Sequence, residues 1–216
     1  TGWQRSDCIS ITSTVTVSDL KKVARTPHCA QFVSLEHGIG GKCVAPAVAF
    51  IETFAERLLG LYVSFNFDSE TLGLLVRLLR RSKRLQQLSV TLWLQRELDG
   101  VRDFFQEVKT LPLSAFSFEA LGHFSDHVQE TYLEHVCDLV CGLQATLLTL
   151  RVVEACFYAC LGNRVVPKLK RFDIQQRISF RCDGLVEFLS QCPSLVELKL
   201  LSFRNDEQVS AFARYV

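Results

Sequence analysis

The stretch "LVEFLSQCPSLVELKL", Leu185 to Leu200, changes period at its middle. Leu185, Val186, Phe188 and Leu189 recur at helical spacing, whereas Leu195, Leu198 and Leu200 finish in the two-residue alternation of a strand. Between the halves stands Cys192-Pro193, and proline has no N–H with which to carry a helix further. The stretch reads as helix, corner and strand. Whether that event recurs decides the fold.

It recurs. The frame Leu195-x-x-Leu198-x-Leu200 has counterparts in Leu169-x-x-Phe172-x-Ile174, Leu147-x-x-Leu150-x-Val152, Leu113-x-x-Phe116-x-Phe118, Leu85-x-x-Leu88-x-Val90 and Leu58-x-x-Leu61-x-Val63. A weaker first copy, Cys29-x-x-Phe32, lacks the third apolar residue. Successive copies start 22 to 34 residues apart. Helical patterns fill the intervals. Pro46 suits the first turn of a helix carrying Val48, Phe50, Ile51 and Phe54, and Ser69 suits the cap of one carrying Leu72, Leu75, Val76 and Leu79. Asp99 precedes Val101, Phe104, Phe105 and Val108; Ser125 precedes Val128, Val136, Leu139 and Val140; Asp183 precedes the opening stretch. Asn205 with Gln208 makes a capping box for a last helix.

Alternating strands and helices call for a parallel sheet. Units this short favour a curved solenoid over a doubly wound sheet, with parallel strands on the concave face and helices on the convex face. The expected fold class is therefore α/β. Residues 29–216 form its repeats, about seven and irregular, and residues 1–28 read as an N-terminal cap or linker with a Ser-capped helix over Ser18 to Ala24.

These LxxLxL strands alternating with helices resemble leucine-rich repeats of the ribonuclease-inhibitor-like type. "LSQCPSLVELKL" followed by "LSFRNDEQVSAFARYV" is similar to the cysteine-containing repeats of F-box proteins, where Cys-Pro-x-Leu enters the strand and an acidic turn enters the next helix. The resemblance implies a substrate-binding part of a ubiquitin-ligase adaptor. No F-box is recognisable in residues 1–28, so a ligase-adaptor partner requires an F-box outside this chain.

In each strand the residues alternating with the core positions face outward. By frame they are Tyr62 and Ser64; Gln87, Ser89 and Thr91; Ala115, Ser117 and Glu119; Thr149, Arg151 and Val153; Arg171, Asp173 and Gln175; Glu197, Lys199 and Leu201. The expected function is non-enzymatic protein recognition on this concave face. Its anchors are Tyr62, Trp93 (just past a strand) and Arg151, within a polar surround. The alternative is a structural scaffold subunit of a larger stable assembly. A mean hydropathy of +0.18 without evident polar end caps suits that role.

Other classes find little footing. A net charge of +1 offers no global field for nucleic acid, and no apolar run reaches the roughly 18 residues of a membrane span. The basic run "RLLRRSKR", Arg77 to Arg84, reads as the cationic close of the Ser69 helix, over a phosphate patch or a nuclear-localisation signal. Glycine-rich "HGIGGK", His37 to Lys42, lacks phosphate-loop spacing and reads as a flexible turn. No GxSxG, HExxH or Walker-type loop occurs, so no enzyme and no cofactor are expected. Cys137-x-x-x-Cys141 and Cys156-x-x-x-Cys160, near His123 and His127, have the residue types of a zinc site. They lie within apolar helical patterns and read as core packing, so no metal is expected. Nine cysteines, an odd number at no framework spacing, point to an intracellular setting, cytoplasmic or nuclear. The chain holds no methionine, which suggests a piece of a longer protein.

Overall fold

The computed structural model describes residues 8–12, 14–23, 30–36, 41–66, 68–93, 100–121, 126–152, 165–175 and 183–201. Strand and helix alternate along them: β1 (Cys8–Ile11), α1 (Val17–Val23), β2 (Phe32–Leu35), α2 (Gly41–Glu52), β3 (Gly60–Asn66), α3 (Ser69–Arg81) and β4 (Gln87–Trp93) come first. They are followed by α4 (Val101–Lys109), β5 (Ala115–Leu121), α5 (Asp126–Gly142), β6 (Thr149–Val152), β7 (Arg171–Gln175), α6 (Asp183–Ser190) and β8 (Glu197–Leu201). Every described strand pairing is parallel, so the fold class is α/β. No described helix is long and apolar enough to cross a membrane. The chain divides into two compact units, Thr1–Leu113 with Leu121–Phe124 and Ser114–Ala120 with Ser125–Val216.

In the N-terminal unit β1 to β4 pair in chain order, and α1, α2, α3 and α4 pack each against the next. One core row across the strands is Ile9, Val33, Leu61 and Leu88; the next is Ile11, Leu35, Val63 and Val90. This register corrects the first frame by one residue. Val33 and Leu35, both buried, occupy the positions of Leu61 and Val63, so the copy runs Ala30-x-x-Val33-x-Leu35 and has its third apolar residue. Phe32 drew the frame off because it is buried too. A strand also lies within the segment read as cap or linker: β1 repeats the pattern as Ile9-x-Ile11.

In the C-terminal unit Phe116, Leu150, Phe172 and Leu198 share one row, and Phe118, Val152, Ile174 and Leu200 the next. Phe116, Leu150 and Phe172 are buried, and Phe188 of α6 meets Phe172 edge-to-face with centroids 5.1 Å apart. An aromatic pair in that geometry adds about 0.5–1.5 kcal/mol to the area it buries.

The frames are equivalent down to individual backbone bonds. In five of them the carbonyl of the second residue accepts from two successive N–H groups of the following repeat. Gln31 receives Leu59 and Gly60, and Leu59 receives Gln86 and Gln87. Ser114 receives Leu148 and Thr149, Leu148 receives Lys170 and Arg171, and Lys170 receives Val196 and Glu197, all at 2.8–3.0 Å. The corner before the strand is equally conserved in geometry. The first frame residue donates to the carbonyl three positions back in Leu58→Ala55, Leu85→Ser82, Leu169→Val166 and Leu195→Cys192.

Two of those corners share a side-chain bond. Ser82 Oγ donates to the Leu78 carbonyl at 2.9 Å, and Cys192 Sγ donates to the Phe188 carbonyl at 3.4 Å. Both side chains are buried and reach four residues back, adding a second bond to a last-turn carbonyl that already accepts a backbone N–H, from Ser82 in one corner and Gln191 in the other. Burial, only partly offset by the Val166 backbone bond, pushes the Cys192 thiol up to about 11. Cys192 is thus a packed corner residue whose burial disfavours the thiolate.

Several helix starts differ from expectation. Asp68, not Ser69, caps α3: its carboxylate accepts from the Thr71 N–H at 2.7 Å, and Thr71 Oγ1 accepts from the Asp68 N–H. Thr16, not Ser18, caps α1, through the same reciprocal bonds with Asp19. Gly100 occupies the N-cap of α4 at φ 88°, a left-handed conformation that costs any other residue strain. α2 opens at Gly41, so Pro46 lies inside it rather than in its first turn. Val44, Ala47 and Val48 bury the apolar face of α2 on either side of Pro46. Gly41 and Lys42, read as part of a turn, accordingly belong to α2. Ser125, the remainder of that turn and the Asn205 helix lie outside the described residues.

Candidate functional site

The outward side chains form rows that the parallel register lines up across neighbouring strands. In the N-terminal unit the first row is Ser10, Ser34, Tyr62 and Ser89. Gln87 stands opposite Gly60, and Ser64 opposite Thr91. Ser10 Oγ donates to Glu36 Oε1 at 2.6 Å. Tyr62, Gln87 and Ser89 are half-buried, but Ser64 and Thr91 are only 6% exposed each. Those two hydroxyls were expected at an open surface and are instead packed away. Trp93 is the last residue of β4, opposite Asn66, rather than just past the strand. Ser10, Ser34 and Glu36 extend this face beyond the sequence reading. The signal for them was Ile9-x-Ile11 and Val33-x-Leu35, missed with the slipped first frame.

The C-terminal unit presents charge. Ser117, Arg151, Asp173 and Lys199 make one row; Ala115, Thr149, Arg171 and Glu197 make the next. Glu119 continues β5, and Gln175 stands opposite Leu201. Val153 lies outside the described residues. The sequence reading named these positions one by one; the register assembles them into a lattice of alternating sign. Arg171 Nε is 2.9 Å from Glu197 Oε2, and Lys199 Nζ is 3.1 Å from Glu197 Oε1. The Lys199 hydrogen bond, reinforced by the Arg171 charge, holds the half-buried Glu197 carboxyl below its ordinary range.

Arg151 and Asp173 are joined less well. Their closest atoms, Nε and Oδ2, are 3.9 Å apart, beyond hydrogen-bond length. Arg151 Nε and Asp173 Oδ1 are buried atoms without a hydrogen-bond partner. A buried polar atom left unbonded costs roughly 1–3 kcal/mol, more when charged. This pair is the least satisfied point of the face.

The basic run lies on α3 and the turn after it, among the helices. Arg77 Nε pairs with Glu52 at 2.9 Å, Arg80 Nε with Glu107 at 3.2 Å, and Lys83 Nζ with Glu107 at 2.7 Å. The cations thus link α2, α3 and α4. Burial pulls the Glu107 carboxyl upward, but the bonds from Lys83 and Arg80 outweigh it and hold the group below its ordinary value of 4.5. A depressed carboxylate stabilises the fold above its unfolded value and loses that contribution as pH falls through the folded value. Glu107→Gln is therefore expected to cost about 1 kcal/mol at pH 7, and the difference from the wild type to shrink steadily below pH 4.5. Urea titrations at pH 7, 5 and 3.5 measure it; a gap that does not change with pH contradicts the ion-pair role.

Among the described residues no group of three or more His, Cys, Asp and Glu is placed to hold a metal ion. Cys137 is buried and Cys141 half-buried on α5. Cys156, Cys160 and His123 lie outside the described residues, and the His127 side chain with them. Compared with known proteins, the chain matches no family model and no curated protein.

Proposed function

We propose that the chain is a curved leucine-rich-repeat solenoid of the ribonuclease-inhibitor-like type, acting as a non-enzymatic protein–protein recognition module. Its strands line the concave face and hold a folded partner or peptide. The setting its repeats resemble is the substrate-binding part of an F-box-type ubiquitin-ligase adaptor, inside the cell. The observation that carries this reading is the outward lattice of Arg151, Asp173, Arg171, Glu197 and Lys199. These side chains contribute nothing to the core, yet parallel register aligns them. The unsatisfied Arg151–Asp173 pair also gains hydrogen bonds when a partner reorients it.

The test uses a tagged chain extended to its natural ends, purified from its own cells. The double variant Arg151→Glu/Arg171→Glu is expected to lose its stoichiometric partner by about tenfold or more, while circular dichroism shows the fold retained. Undiminished recovery of that partner overturns the reading. A ligase adaptor among the companions supports the F-box setting. A fixed-stoichiometry complex without ligase components assigns the chain to a structural scaffold instead.

A further inference from the structure

Among the described residues three large apolar side chains are exposed, Leu148 (37%), Val165 (45%) and Val196 (83%), and all belong to the C-terminal unit. Leu148 and Val196 occupy the same place in their repeats, the second frame residue at the leading end of the strand. Lys170 holds that place in the repeat between them. Backbone bonds make the three a continuous row: the Lys170 N–H donates to the Leu148 carbonyl and the Val196 N–H to the Lys170 carbonyl, each at 2.9 Å. Val165 precedes the same strand, β7, and Lys168 and Lys170 are exposed beside it. Arg171, next in the chain, belongs to the outward row and is paired with Glu197. Nothing in the repeat demands apolar residues at this place. Its occupants elsewhere are exposed Gln31 and Gln86 and half-buried Leu59 and Ser114.

The spacing of the row selects the occupant. Neighbouring strands lie about 4.8 Å apart, so Leu148 and Val196 are separated by about 10 Å with Lys170 midway. Same-face side chains of an extended segment repeat every ~7 Å and miss this interval. In a helix, residues i and i+7 are about 10.5 Å apart along the axis, with i+3 or i+4 on the same face between them. Exposed Lys168 and Lys170 set the sign of the central group.

We propose that the leading edge of the C-terminal unit docks an amphipathic helix of a partner protein, bearing apolar residues at i and i+7 and a carboxylate at i+3 or i+4. The apolar residues cover Leu148 and Val196, and the carboxylate meets Lys170. This edge is distinct from the outward rows, so it holds or fails independently of the recognition face.

Two labelled synthetic helices of about 18 residues, long enough to hold helix alone, serve as probes. Both carry Leu at i and i+7; one carries Glu and the other Lys at i+3 and i+4. Fluorescence anisotropy is expected to show the Glu helix binding about tenfold or more tightly than the Lys helix. Lys170→Glu should reverse that preference, Val196→Ser should weaken the Glu helix about fivefold, and Arg151→Glu should leave it within about twofold. Circular dichroism confirms that each variant is folded. Equal binding of the two helices, no binding of the Glu helix, or indifference to Lys170→Glu overturns the proposal. So does self-association of the chain that Val196→Ser abolishes, which assigns the edge to a second copy.

Discussion

Phe172→Ala is expected to destabilise the C-terminal unit by about 3–5 kcal/mol. Phe172 is 1% exposed and stands in register between Leu150 and Leu198. It also supplies the edge-to-face contact with Phe188, through which α6 is fixed to the strand layer. Truncation to Ala removes the transfer free energy of the ring and leaves a cavity that β6 and β8 cannot close, because their backbones are tied by ladder bonds. A domain of this size has about 5–15 kcal/mol in total, so the variant stands near the threshold of folding. Phe172→Leu, which fills most of the space, should cost less than about 1.5 kcal/mol. Urea denaturation followed by circular dichroism measures both. If Phe172→Ala unfolds at the wild-type midpoint, the ring is not part of a packed core and the register given for β7 is wrong.

At the other kind of structural position, the corner, Ser82→Asp is expected to cost roughly 3–5 kcal/mol, because it sets a charge at a fully buried position. Ser82 is fully buried, and its hydroxyl closes the last turn of α3 on the Leu78 carbonyl. Ser82→Ala loses one hydrogen bond and should cost about 1 kcal/mol or somewhat more. Ser82→Cys should stay within about 1 kcal/mol of wild type, since Cys192 makes the matching bond at the same place in its own repeat. The order Cys, Ala, Asp in thermal melts tests the equivalence of the two corners. A cysteine variant as damaged as the aspartate would mean that the corners only look alike.

Most of the fold was legible because its signals are local. Leu58, Leu61 and Val63, or Leu85, Leu88 and Val90, announce a strand by alternation, and within each unit the frames from Leu58 onward meet in register. The two frames nearest the N-terminus were harder. Val33 competes with Phe32 for the inward position, and a one-residue shift changes every outward residue to an inward one. β1 has only Ile9 and Ile11 to mark it. Caps were misread by one or two residues because several short polar side chains stand together, as in Asp68-Ser69 and Thr16-Val17-Ser18; only hydrogen-bond geometry separates them.

What the sequence by itself determined is the alternation of strand and helix, the corner at Cys192-Pro193, and the outward positions of the frames from Leu58 onward, all consequences of period and backbone chemistry within a few residues. The tertiary structure alone decided which of those residues become neighbours. Parallel pairing places Arg151 beside Asp173 and Arg171 beside Glu197 across 22 and 26 residues of chain, leaves Ser64 and Thr91 covered, and lines up Leu148, Lys170 and Val196 along one edge. Such adjacency is set by hydrogen bonds between strands remote in sequence. No local pattern records it.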